Sequence, residues 1–75
     1  MDDATFKLLA LKESLSQLGI HTEISPTVTN QLLAPYYHIT VYSECYEVQF
    51  KFDPVETFDN KDDVIMYILT KGGNI

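Results

Sequence analysis

The chain contains no arginine; all five of its bases are lysine. Recognition of phosphate backbones and guanine edges leans on the bidentate guanidinium, so direct nucleic-acid binding is disfavoured. An anionic membrane surface is disfavoured on the same ground. Cysteine is nearly absent. The single Cys45 rules out a disulfide within the chain. Small secreted domains usually need such staples, so a reducing cytoplasm is the expected compartment. Met1-Asp2-Asp3 puts acid where a secretory leader carries positive charge, and the chain is read as having no such leader. No apolar run approaches the ~20 residues needed to span a bilayer. Glycine is scarce, and Gly72-Gly73 follow the last helical segment instead of opening one, so no phosphate-cradling loop is present.

Chemistry-bearing clusters are missing too. His21, His38 and Cys45 are the only soft metal ligands, and none shows the short paired spacing of a zinc site. Cys45 has no histidine or cation beside it, the setting a nucleophilic thiol requires. Carboxylates are plentiful, but a fold this small leaves little room for a substrate-burying pocket. The expectation is a protein with no metal, no cofactor and no enzymatic activity.

What is present is an ordinary hydrophobic fraction, 45%, on 75 residues. That predicts one folded domain burying roughly 60–65% of its unfolded surface. Tyr36 to Phe52 reads as a β-hairpin. Tyr37, Ile39 and Val41 alternate with His38, Thr40 and Tyr42 on one arm; Val48, Phe50 and Phe52 alternate with Glu47, Gln49 and Lys51 on the other. The turn near Ser43-Glu44-Cys45 lacks glycine, so a connection of three to four residues is expected in place of a tight primed turn.

Amphipathic segments flank the hairpin. Leu8, Leu11, Leu15 and Leu18 form one stripe of a helix over 3–18, extended by Ala4, with Asp2 or Asp3 as N-cap and Gly19 as the C′ residue. Phe6 and Leu9 fall off that stripe. They either touch the other helix or a loop, or form an exposed apolar pair through which a homodimer could assemble. Ile20, Thr22 and Ile24 suggest a strand over 20–24. Residues 25–35 form the longest irregular segment and a second candidate contact surface; there Leu32 and Leu33 are expected to tuck inward or to extend the first strand. Asp53-Pro54 ends the hairpin, and Val55 to Phe58 is a short link with Phe58 in the core. The last helix is expected from about Asn60 to Lys71, capped by Asp59 or Asn60, with Asp62 and Asp63 in its first turn and Gly72-Gly73 stopping it. Val64, Ile65, Ile68 and Leu69 make its buried face, and Met66, Tyr67 and Thr70 lie away from it. The predicted architecture is a single two-layer α+β domain over 1–75. Its order is α-β-β-β-α, with an antiparallel three-stranded sheet packed against two helices.

Charge is the sharpest feature. The chain carries −6, and residues 44–63 hold seven acids against Lys51 and Lys61, a local −5. Those acids are Glu44, Glu47, Asp53, Glu56, Asp59, Asp62 and Asp63. They serve either as a solvated surface with a helix N-terminus, or as a patch of carboxylates spaced like phosphates and docked on a basic protein. Tyr42 and Tyr46 lie beside them, either as cross-strand packing or as interface anchors. A small acidic single domain of this kind resembles, in size, charge and element order, the DNA-mimic and anti-CRISPR inhibitors made by bacteriophages and other mobile elements. The resemblance implies a protein partner with a basic surface and an inhibiting or modulating role. A self-associating scaffold domain and a small ligand-binding domain or enzyme are the alternatives.

Overall fold

The computed structural model describes residues 3–71. Seven elements follow one another: α1 (Asp3–Gln17), β1 (Glu23–Ile24), β2 (Gln31–Leu33), β3 (Tyr37–Val41), β4 (Tyr46–Phe50), β5 (Glu56–Phe58) and α2 (Lys61–Lys71). The strands form one antiparallel sheet in the order β1-β2-β3-β4-β5, so each strand pairs with its neighbour in the chain. The domain is α+β, but its sheet has five strands and not the expected three.

The two additional strands come from segments read as loop and link. In 25–35, β2 pairs with β3 through Gln31↔Thr40, Leu32↔Ile39 and Leu33↔His38. Strand alternation then separates the two leucines: Leu32 is buried and Leu33 is exposed on the other face. In 55–58, β5 pairs with β4 through Tyr46↔Phe58, Glu47↔Thr57 and Val48↔Glu56. The strand expected over 20–24 shrinks to Glu23–Ile24, because the chain is still leaving α1 at Ile20. There the Gly19 N–H donates to the Ser16 carbonyl at 3.0 Å and the Ile20 N–H to the Leu15 carbonyl at 2.9 Å. Gly19 has φ +82°, completing the left-handed C-cap that its position predicts.

The central hairpin keeps its pattern. Ile39, Val41, Tyr46, Val48 and Phe50 are buried together with Leu32, all on one sheet face. Leu8, Leu11 and Leu15 of α1 and Val64 and Ile68 of α2 complete the same cluster, so both helices pack on that face. α1 covers β2 and β3; α2 covers β4 and β5. The other face, carrying Gln31, His38, Thr40, Glu47, Gln49 and Thr57, is covered by no described element. The connection between β3 and β4 runs over 42–45, closed by the Tyr42 N–H donating to the Cys45 carbonyl at 2.9 Å.

Three expected core positions change. Leu18 is exposed, because α1 ends at Gln17 and the stripe has no turn left to continue it. Phe52 is 94% exposed, because β4 ends at Phe50 and the chain turns over 51–53. Leu69 is exposed, and Tyr67 takes its place against the core, 5.1 Å from the Phe58 ring and 5.6 Å edge-on to Phe50. The helix face toward the sheet centres on Val64 and Ile68, and aromatic pairing draws Tyr67 in from one side. Asp2 and Gly72-Gly73, expected as helix-ending residues, lie outside the described residues.

Candidate protein-binding surface

The antiparallel meander sorts its connections between two ends of the domain. At one end lie the β1–β2 and β3–β4 connections and the link into α2. Phe58 is paired with Tyr46, so Asp59 falls one step past that pair, beside the turn holding Glu44 and Cys45. α1 also starts there: the Lys7 ammonium donates to the Ser43 carbonyl at 2.9 Å and lies 4.7 Å from the centroid of the Tyr46 ring. Both helices therefore point their N-termini to this end. Helix dipoles favour acid in exactly such first turns, and Asp3, Asp62 and Asp63 occupy them. 

The α2 start is built from its own residues. Asn60 is the N-cap. Its Oδ1 accepts the Asp63 backbone N–H at 2.9 Å, and its Nδ2 donates to Asp63 Oδ2 at 3.0 Å. Glu47 stands on the open sheet face and accepts the Tyr42 hydroxyl at 3.2 Å. The Glu47 charge, with its hydrogen bond, raises the Tyr42 hydroxyl above the ordinary tyrosine range.

Of the seven acids read from the sequence, Glu44, Glu47, Asp59, Asp62 and Asp63 gather at or near this end, and Asp3 joins them. Asp53 does not: it lies at the far end, ion-paired with Lys71. Glu56 does not either. Val48↔Glu56 and Glu47↔Thr57 are successive pairs, so Glu56 and Glu47 project from opposite sheet faces. Tyr46 is 4% exposed beneath Lys7 and belongs to the core, which leaves Tyr42 as the exposed member of that pair. Asp3 was missed in the sequence because forty residues separate it from Glu44, and only strand order brings the two ends together.

Only two ion pairs form among the described residues, His21–Glu23 at 4.0 Å and Lys71–Asp53. Among the described residues the gathered carboxylates have no such partner. Nor do they converge: among the described residues no three of the histidines, cysteine and acids come together to hold a metal ion. The arrangement is a spread of single charges suited to a broad, polar contact. Phe6 is 67% and Leu9 41% exposed on the outward side of α1. No described helix is long and apolar enough to cross a membrane. Comparison with protein-family models, curated proteins and solved structures returns no match.

Proposed function

We propose that this domain is a non-enzymatic protein-binding module that docks its acidic end on a basic, nucleic-acid-binding partner and inhibits or modulates it. The observation that carries the reading is the set Glu44, Glu47, Asp59, Asp62 and Asp63, delivered to one end by a turn, a strand and a helix start, none of them ion-paired among the described residues. Strand pairing sets Asp59 beside the turn that holds Glu44, so several carboxylates stand at one end of the sheet as a concentrated negative charge that a basic groove can meet. Like-signed charges held apart by a rigid sheet favour fast, salt-sensitive association with an oppositely charged surface.

The test is a panel of purified nucleic-acid-binding proteins, titrated with the domain over a salt series. At least one member binds, its affinity falls steeply with salt, duplex DNA competes, and combined Glu44→Gln, Glu47→Gln and Asp59→Asn weakens binding at least tenfold. No binding across the panel, or binding indifferent to salt and to the triple variant, overturns the reading.

A second reading, self-association, is favoured by the exposure of Phe6 and Leu9. The sheet edges contribute little to it: β1 has two residues, and β5 starts with Glu56 shortly after Pro54. Light scattering over a dilution series checks this reading, and a monomer at the highest concentration removes it.

A further inference from the structure

The turn after β4 is anchored on both sides and yet holds a phenylalanine in solvent. The Lys51 N–H donates to the Tyr36 carbonyl at 3.0 Å, and the Asp53 N–H to the Phe50 carbonyl at 3.1 Å. Between those two residues Phe52 is 94% exposed. The same turn borders a concavity of about 380 Å³, at the end of the domain opposite the acids. Its apolar lining is aromatic: Tyr36, 57% exposed, Phe50, which is buried, and Phe52 itself. Its charged lining is Lys51, Asp53 and Lys71, two cations against one anion on a chain of net −6. A projecting ring and an apolar hollow thus belong to one patch. That is the condition for an isologous contact, in which each copy offers the other both parts.

The charges name the occupant. Lys51 and Asp53 flank Phe52 with opposite signs. A two-fold axis beside Phe52 runs two such turns antiparallel, and so sets the lysine of each copy against the aspartate of the other. Among the described residues no carboxylate pairs with Lys51 within the chain. Asp53 pairs with Lys71, but a carboxylate has two oxygens and accepts more than one donor. A uniformly basic or uniformly acidic partner would match one of the two flanking charges and oppose the other. Contact here also turns the acid-rich ends of two copies away from each other. A five-residue strand separates each from the contact by ~17 Å, about twice the ~8 Å screening length at physiological salt.

We propose that the domain self-associates as a two-fold dimer through this turn, the Phe52 ring of each copy covering the aromatic concavity of the other. The contact is one aromatic anchor and two ion pairs wide, under the ~1,200 Å² of a stable dimer, so association is weak and rises with concentration. Its surface is distinct from Phe6 and Leu9 on α1, and the two routes to a dimer are separable by substitution.

The test is analytical ultracentrifugation of the whole chain, from dilute solution to about 1 mM. Mass rising from one chain toward two is expected, with amide shifts at Tyr36, Lys51, Phe52 and Asp53 following the same concentration dependence. Phe52→Ser should weaken association at least tenfold, and Phe6→Ser should leave it unchanged. Lys51→Glu and Asp53→Lys should each abolish it, by facing like charges across the axis. Mixing those two variants should restore it, because both cross-axis pairs are again of opposite sign. Circular dichroism checks that the variants fold, and Phe52→Ser decides alone if Asp53→Lys does not. A monomer at the highest concentration, an unchanged dimer in Phe52→Ser, a lost dimer in Phe6→Ser, or no recovery on mixing two folded variants overturns the proposal. So does a chain that stays monomeric while N-acetylphenylalaninamide shifts the same amides, which would give the concavity to a foreign aromatic group. Glu44 and Asp59 lie at the other end, so failure here leaves the basic-partner reading standing.

Discussion

The two ends of the domain are built by one sheet, yet they carry different chemistry. At one, both helices begin, and acids crowd the connections. At the other, α1 closes on Gly19 and α2 on Lys71, and the connections carry aromatic side chains, lysine and proline. The helix dipoles account for part of this segregation: Asp3, Asp62 and Asp63 are stabilised at helix starts and Lys71 at a helix end. They do not account for Glu44, which lies in a strand connection, or for Glu47, which stands on the open sheet face. They also do not account for Phe52, which gains nothing from its 94% exposure. Residues that serve the fold are thus distinct from residues whose placement the fold does not explain.

The largest effect tests whether the ends are one cooperative unit. Leu11 is fully buried between α1 and the sheet. Leu11→Ala should cost about 3 kcal/mol, a large share of what so small a domain has. Urea unfolding followed by amide signals at Asp59 and at Tyr36 should show both ends melting together. Separate midpoints would break the comparison by showing two independent units.

Next come the caps, one at each end. Asn60→Ala removes the acceptor for the Asp63 N–H and should cost about 1 kcal/mol. Gly19→Ala forces a side chain into φ +82° with no atom crowding the added Cβ, so its cost is the backbone strain alone, also about 1 kcal/mol. Equal losses in urea midpoint would show that the two ends are held with similar firmness, whatever their surfaces do.

These caps were also the legible parts of the sequence. Gly19 after a leucine stripe, and Asn60 before Asp62-Asp63, are local signals, and the hairpin carries its own alternation. β2 and β5 were not legible because each has three residues and inserts a single side chain, Leu32 or Phe58, toward the core. One apolar position has no period. Phe52 looked like the next step of an alternation that the turn over 51–53 ends. The acidic segment was legible as composition, but its division was not. That Glu47 and Glu56 face opposite ways, and that Asp53 pairs with Lys71, depend on register and strand order.

Alkaline titration sharpens the comparison at the far end. Hydrogen bonds to Asp53 first, and to Tyr67 second, hold the Lys71 ammonium above its ordinary value. A raised value means stability that is complete below the ordinary lysine range and lost as pH climbs through the raised one. Burial raises Tyr37 and Tyr46 in the same sense, so the effect must be read as a difference. Lys71→Met keeps the stem over Phe50 and removes the charge. The gap in urea midpoint between it and the unaltered chain should be widest near pH 8 and narrow above about pH 10.4. A gap that stays constant would mean that the Lys71–Asp53 pair contributes nothing to stability.

The smallest expected effect is the most informative. Phe52 buries almost nothing, so Phe52→Ser should shift stability by less than about 0.5 kcal/mol. A core phenylalanine would cost about 3–5 kcal/mol when truncated. If unfolding shows the small value, the ring does not serve folding. A large loss of stability would mean that Phe52 packs somewhere in solution and that the segregation of the two ends is less complete than their connections suggest.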